Sequence, residues 1–276
     1  MKMKKIILGL VSVILLVVLA ACGNSEAGKD KEKETTLVIG ASNVPHAEIL
    51  EKAKPILEKE GVKLDIKKYQ DYILPNKNLA GGEIDANYFQ HIPFLDLSNK
   101  ENKTDLVNAG KIHIEPFGIY SSKYKSVGDV KEGSTILISN NVAEHGRILM
   151  LLEKKGLVKI KDSVDNKVNA TLKDIDNVKK LKFLNQIDPG LLAKAYQNDE
   201  ADLYAINTNY ALDAGLKPKD DALILEDSDS PYANIIAVKK EDENKPAIKK
   251  LVKVLHSKEI QDFITEKYKG AVLPVK

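Results

Sequence analysis

The chain has no tryptophan, one cysteine, and one arginine, Arg147, among its 42 Lys and Arg residues. A lone cysteine excludes any disulfide within the chain, so an oxidising compartment neither helps nor harms the fold. There is no Gly-x-Ser-x-Gly, no His-Glu-x-x-His and no phosphate-binding loop, so no enzyme chemistry is assembled and a non-enzyme is expected. No basic stripe runs along the sequence, which removes the phosphate contacts that nucleic acid requires. The five histidines are scattered without metal-ligand spacing; neither a metal nor another cofactor is expected.

What is present begins at the amino end. Lys2, Lys4 and Lys5 precede a charge-free apolar run from Ile6 to Ala21, the order of a secretory signal peptide spanning residues 1–21. The run is shorter than the roughly 20 residues needed to cross a bilayer. It ends Leu19-Ala20-Ala21-Cys22-Gly23, which resembles a lipobox, so Cys22 is the expected lipidation site after cleavage. Acyl chains on that thiol, palmitate among them, would anchor the protein to the cell membrane on its extracytoplasmic face. Two chains hold stably where one gives only marginal binding. Residues 22–36 are polar and charged without apolar periodicity, the composition of a flexible linker. Its reach is on the order of 20 Å. Without its leader the chain carries 39 Lys and Arg against 40 Asp and Glu, so the body is near neutral.

The body reads as α/β. Leu37 to Ala41 is a short apolar run, Ile49, Leu50, Ala53 and Leu57 recur at helical spacing, and Val62, Leu64 and Ile66 alternate with polar residues. Strand, helix and strand within so short a segment form a β-α-β unit with parallel strands. Thr135 to Ile138, followed by a helix from about His145 to Lys155, repeats the theme and predicts a second α/β lobe. The segment Gly82-Glu83-Ile84-Asp85 is echoed by Asp199-Glu200-Ala201-Asp202, each placed to close a helix and launch a strand. Strand Asn234–Val238 and the stripe Ile248, Leu251, Val252, Leu255 bring the chain back to the first lobe. The predicted division is 37–112 plus 232–276 for lobe 1 and 113–231 for lobe 2, with two crossing strands near 110–120 and 226–236 as hinge.

Four blocks, Pro45-His46-Ala47-Glu48-Ile49-Leu50, Ala86-Asn87-Tyr88-Phe89-Gln90-His91-Ile92-Pro93, Ile206-Asn207-Thr208-Asn209-Tyr210-Ala211 and Ser230-Pro231-Tyr232-Ala233-Asn234-Ile235-Ile236, resemble the NlpA/MetQ family, the substrate-binding lipoproteins of methionine ABC importers. The similarity runs from Cys22 to Pro274. It implies a bilobal type II periplasmic-binding-protein fold that captures L-methionine, or a related amino acid or methionine-containing dipeptide, and delivers it to an ABC permease and its ATPase. A monomer is expected. A metal receptor or a surface adhesin would share the anchor and the two lobes.

A zwitterionic amino acid needs donors for its carboxylate, acceptors for its ammonium and, for methionine, an apolar slot. Arg147, in the first turn of a helix after a strand, can grip a carboxylate with its fork. Tyr72, Tyr88, Phe89 and His91 cluster in a chain poor in aromatics, and rings suit a thioether. The resemblance favours Tyr72, Tyr88 and His91 for the site and leaves Phe89 even, since strand neighbours face opposite ways. Asn207, Asn209 and Asn234 offer amide donors and acceptors, Asn209 alternatively as a helix cap. His46 caps a helix or lines the cleft. Where the family usually reads Asn-Asp-Pro-Ser/Thr-Asn-x-Gly-Arg, this chain has Asn140-Asn141-Val142-Ala143-Glu144-His145-Gly146-Arg147. Glu144 there can accept an ammonium or face solvent.

Overall fold

A computed structural model describes residues 35–228 and 230–275. The predicted signal segment, Cys22 and all of the linker but its last two residues lie outside the described residues. Among the described residues no helix is long and apolar enough to cross a membrane.

The first strand, β1 (Thr35–Ser42), takes those last two residues of the expected linker, because Thr35 and Thr36 already pair with Val62 and Lys63 of β2 (Val62–Tyr69). Between the two strands α1 (Glu48–Lys59) buries Ile49, Leu50, Ala53 and Leu57, the stripe that its periodicity predicts. Gly61, at φ 78°, supplies the left-handed turn that ends it. The two strands run parallel, as a β-α-β unit requires.

Two sheets organise the body. The first has the order β13 (Leu273–Pro274), β4 (Val107–Ile114), β12 (Ala233–Val238), β3 (Ala86–His91), β1, β2. The second has the order β11 (Ala222–Leu225), β5 (Gly118–Tyr120), β10 (Leu203–Ile206), β6 (Thr135–Ser139), β9 (Lys182–Ile187). A separate ribbon pairs β7 (Lys159–Ile160) with β8 (Ile175–Asp176). The helices are α2 (Leu74–Gly81), α3 (Ile92–Asn102), α4 (His145–Lys154), α5 (Leu192–Gln197), α6 (Thr208–Asp213), α7 (Pro218–Asp221), α8 (Pro246–Leu255) and α9 (Lys258–Tyr268). Each sheet carries its own core. Leu50, Leu57, Ile248, Leu251 and Ile264 pack around the first, and Ile148, Leu149, Leu152 and Leu203 around the second. The protein is therefore α/β and bilobal, with both ends of the described chain in one lobe.

The chain crosses between sheets at residues 115–117 and 226–232. The crossings are tied together, since Glu226 N–H donates to Phe117 O at 2.9 Å. His113 and Ile114, expected beyond a boundary at 112, stay in the first sheet. Pairing with β12 on one flank and β13 on the other holds them there.

The echo between 82–85 and 199–202 has a physical content. Asp85 Oδ2 accepts the Val38 N–H of β1 at 2.8 Å, and Asp202 Oδ2 accepts the Thr135 N–H of β6 at 2.7 Å. In each lobe an acid at the foot of one strand ties down its neighbour, Val38 within β1 and Thr135 at the start of β6. The carboxyl ends of β1, β3, β6 and β10 then bring the loops of the two lobes together, where open α/β sheets bind ligands.

Candidate functional site

One chamber between the lobes is lined by Tyr72, Phe89, His91, Arg147, Asn207, Asn209 and Asn234, together with Glu144, Glu115 and Phe94. The space between these side chains amounts to about 370 Å³ with the open solvent at its mouth included. The lobes are joined across it. Tyr72 donates to Asn209 Oδ1 at 2.6 Å, Tyr210 to Gln70 O at 3.1 Å, and Asn43 Nδ2 to Asp213 Oδ1 at 2.9 Å. His91 Nε2 meets Glu144 Oε1 at 2.6 Å.

The apolar wall is built from β3, the first turn of α3 and Tyr72 in the connection between β2 and α2. The Phe89, Phe94 and Tyr72 rings form a triangle with centroids 5.8 to 5.9 Å apart. Phe89 falls at a register shift in the β3–β12 pairing, where Gln90 faces Ile235 and Tyr88 faces Ile236. Such a bulge re-aims side chains. Tyr88 is accordingly not in the chamber wall. It packs into the core behind it, its hydroxyl bonded to His113 Nδ1, and Phe89, which the sequence reading left even, takes the chamber side of the strand. Behind Phe89 a buried amide network, Asn76 with Gln90 at 2.9 and 2.6 Å and Asn87 with Asn76 at 2.9 Å, fixes the strand.

The polar wall is layered. His46 is not at the chamber surface either. Its Nε2 lies 3.0 Å from Asn234 Oδ1 and 3.2 Å from Glu115 Oε1, so it orients both groups from behind. Glu115 Oε1 also meets His113 Nε2 at 2.7 Å. Burial holds the imidazoles well below their usual range, His46 at about 4 despite the opposing pull of Glu115, and His113 at about 3. Both are neutral at neutral pH. Burial also pushes the Glu115 carboxyl up, against the opposing pull of His46 and Arg147. His46, His113 and Glu115 have ligating atoms within 4.8 Å of one another, a set able to close on a divalent cation, although in this arrangement they bond to each other. The sequence reading missed this cluster. The signal available was His113-Ile114-Glu115, two ionisable residues two positions apart at the end of β4.

Arg147 is 5 % exposed, and its fork is largely spent on the protein itself. Nε lies 3.1 and 3.2 Å from the two Glu226 oxygens, and Nη2 donates to Glu226 Oε2 at 2.6 Å and to Glu115 O at 2.8 Å. The guanidinium carbon lies 4.5 Å from the Tyr232 ring centre. A guanidinium has five N–H groups, so only the pair on Nη1 remains for a ligand. The two-pronged grip expected for Arg147 is thus made on Glu226, and a ligand can meet it only at Nη1. Glu226 and Tyr232 were not anticipated as its partners.

Glu144 faces the chamber and not bulk solvent. His91 Nδ1 accepts the Phe94 N–H at 3.2 Å, which places the proton on Nε2 and makes it the donor to Glu144 Oε1. Burial works to raise the Glu144 pKa, but His91, then Arg147 and Asn207, outweigh it and bring the carboxyl to about 2. Glu144 Oε2 and Asn207 Oδ1 are buried without a hydrogen-bond partner. Asn207 stands at the start of α6 but makes no side-chain cap, and Asn209 lies inside that helix with Oδ1 engaged by Tyr72.

Gly146, between these two groups, has a steric reason. A Cβ there would stand 2.1 Å from Val168 O and 2.6 Å from Lys167 O, both backbone atoms. Gly146→Ala is therefore expected to push α4 off the 167–169 turn at a cost of about 1–3 kcal/mol, read as a lowered urea midpoint. An unchanged midpoint would mean that the turn yields freely.

The family model described as NlpA lipoprotein matches residues 37–276. The chain is 51 % identical to the methionine-binding lipoprotein MetQ of Bacillus subtilis, over 99 % of each chain. A crystal structure of a putative methionine-binding lipoprotein from Bacillus subtilis superposes with a TM-score of 0.85 at 52 % identity, covering 88 % of this chain and 98 % of that one. The structure of a nutrient binding protein from Burkholderia cenocepacia bound to methionine superposes with a TM-score of 0.82 at 38 % identity, covering 87 % and 100 %.

Proposed function

We propose, given that the chain belongs to the NlpA lipoprotein family, that its lobes close on L-methionine or a closely related ligand and deliver it to an ABC permease outside the cytoplasmic membrane. The observation that carries this reading is the chamber itself, which is lined by three aromatic rings suited to a thioether and by a set of amides and carboxylates suited to a charged head. The methionine in the Burkholderia relative supports it. Lipid on Cys22 would keep the receptor near its permease at high effective concentration. The crossings at 115–117 and 226–232 are where the lobes would hinge.

A methionine-containing dipeptide is the second reading. A wider groove of about 1,550 Å³, open solvent included, shares Tyr72 and Phe94 with the chamber and would take a longer ligand. Calorimetry of the mature body with L-methionine, glycyl-methionine and a divalent metal separates the readings. Heat with methionine or the dipeptide is expected. Heat with the metal alone would favour the His46, His113 and Glu115 cluster as the site, and no heat with any amino acid or dipeptide would overturn the receptor reading.

A further inference from the structure

We propose that Glu144 is the ammonium anchor of the cleft, so that the ligand lies with its amino group toward Glu144 and Asn207 and its carboxylate toward the side-chain amides of Asn209 and Asn234. This rests on the cleft being an amino-acid or peptide receptor site, as proposed above, and adds a polarity to it.

Three observations converge. The first is the bare acceptors. Glu144 Oε2 and Asn207 Oδ1 are buried at the chamber wall without a hydrogen bond, Glu144 Oε2 meeting only the Arg147 guanidinium at 3.6 Å, and a buried acceptor without a hydrogen-bond donor is costly unless something supplies one. The second is the position of the donors. Asn234 Oδ1 is occupied by His46 Nε2 and Asn209 Oδ1 by the Tyr72 hydroxyl, which leaves the NH₂ of each amide as the group on offer. The third is charge. Even with Glu115 uncharged, Glu144 and Glu226 place two carboxylates around one guanidinium, and His91 as bonded here is the neutral tautomer. The free Nη1 of Arg147 is 3.6 Å from Glu144 Oε2, so a ligand carboxylate brought to the arginine would be pressed against a fixed carboxylate of its own sign. An ammonium reaching Glu144 Oε2 meets a surround in which two carboxylates outweigh one guanidinium. Glu144 itself thus takes the place beside Arg147 and His91 that an incoming carboxylate would need.

The test pairs ligand chemistry with one isosteric variant. Binding of L-methionine, L-methioninamide and N-acetyl-L-methionine is measured by calorimetry on the wild-type mature body and on Glu144→Gln, with melting temperature as a check on folding. N-acetylation removes the ammonium and is expected to weaken wild-type binding by about thirtyfold or more, the scale for losing one partner of a buried charge pair. Methioninamide keeps the ammonium and is expected to stay within about tenfold of methionine, since its carbonyl still accepts from the amides. Gln still accepts from His91 but carries no charge, so Glu144→Gln is expected to weaken methionine while narrowing the gap to the acetylated ligand. The wild-type ligand series needs no variant to fold. Methioninamide losing more than the acetylated ligand, or a Glu144→Gln effect equal for both, would overturn the inference while leaving the receptor reading intact. Absence of binding by every methionine derivative and by glycyl-methionine would bring down both.

Discussion

Arg147→Ala is expected to cost about 3–5 kcal/mol of folding stability, well beyond any effect on ligand affinity alone. The side chain is buried, bonds Glu226 through both Nε and Nη2, holds the Glu115 carbonyl, and lies between the Tyr232 and Phe117 rings at 4.5 and 5.2 Å. Burial opposes its charge, yet Glu226 and then Glu144 keep it more firmly protonated than an isolated arginine. Removing it strands Glu226 on the crossing at 226–232 and leaves Glu144 with no cation beside it among the described residues, only the hydrogen bond from His91. Breaking a buried pair is expensive chiefly because the surviving charge stays buried. The measurement is urea unfolding of the wild type, Arg147→Ala and Arg147→Lys. The lysine variant keeps the charge but presents a point in place of a planar fork, so it is expected to recover only part of the loss. A drop below about 1 kcal/mol for alanine, the scale of an exposed pair, would show that the Glu226 bridge is not structural.

This double duty explains what the sequence could and could not say. Arg147 is the only arginine, and the inference that a planar fork is required there agrees with its geometry. Its partner, Glu226, is 79 positions away, and nothing in local pattern announces a pairing over that distance. The lobes were legible because they rest on periodicity: the α1 stripe, the alternation along β2 and the stripe of α8 all bury the faces that their spacing predicts. Tyr88 and Phe89 show the limit of that logic. Alternation assigns them to opposite faces but does not say which face is the cleft, and the register shift opposite Ile235 and Ile236 that bears on it depends on the partner strand. His46 and His113 were scattered in sequence and become neighbours only because β4 pairs with β12 while the loop after β1 folds over the same sheet end.

That neighbourhood is expected to make the protein acid-sensitive. Stability is expected to fall by several kcal/mol between about pH 7 and pH 4. His46 and His113 titrate near 6.5 in the unfolded chain but are held to about 4 and about 3 in the fold, in both cases chiefly by burial. Through that window the unfolded chain binds protons that the native state refuses. Stability gained from the neutral imidazoles is therefore complete above about pH 7 and drains as the pH drops, at up to about 1.4 kcal/mol per pH unit for each histidine. The groups facing them modify the slope without reversing it at the upper end. Tyr88 and Asn234 do not titrate there, and Glu115, pushed up by burial, takes a native-state proton and offsets part of the loss once the pH nears its own range. Glu144, held at about 2, adds a further loss below about pH 4.5, where the unfolded carboxyl protonates first. Urea midpoints taken at half-unit steps give the slope directly. His46→Gln, which can still donate to Asn234, removes one of the two titrations and is expected to flatten the curve between about pH 6 and 4.5 by roughly half. Constant wild-type stability across that interval would mean that the two imidazoles accept protons inside the fold, which the Glu115 carboxylate alone cannot support for both.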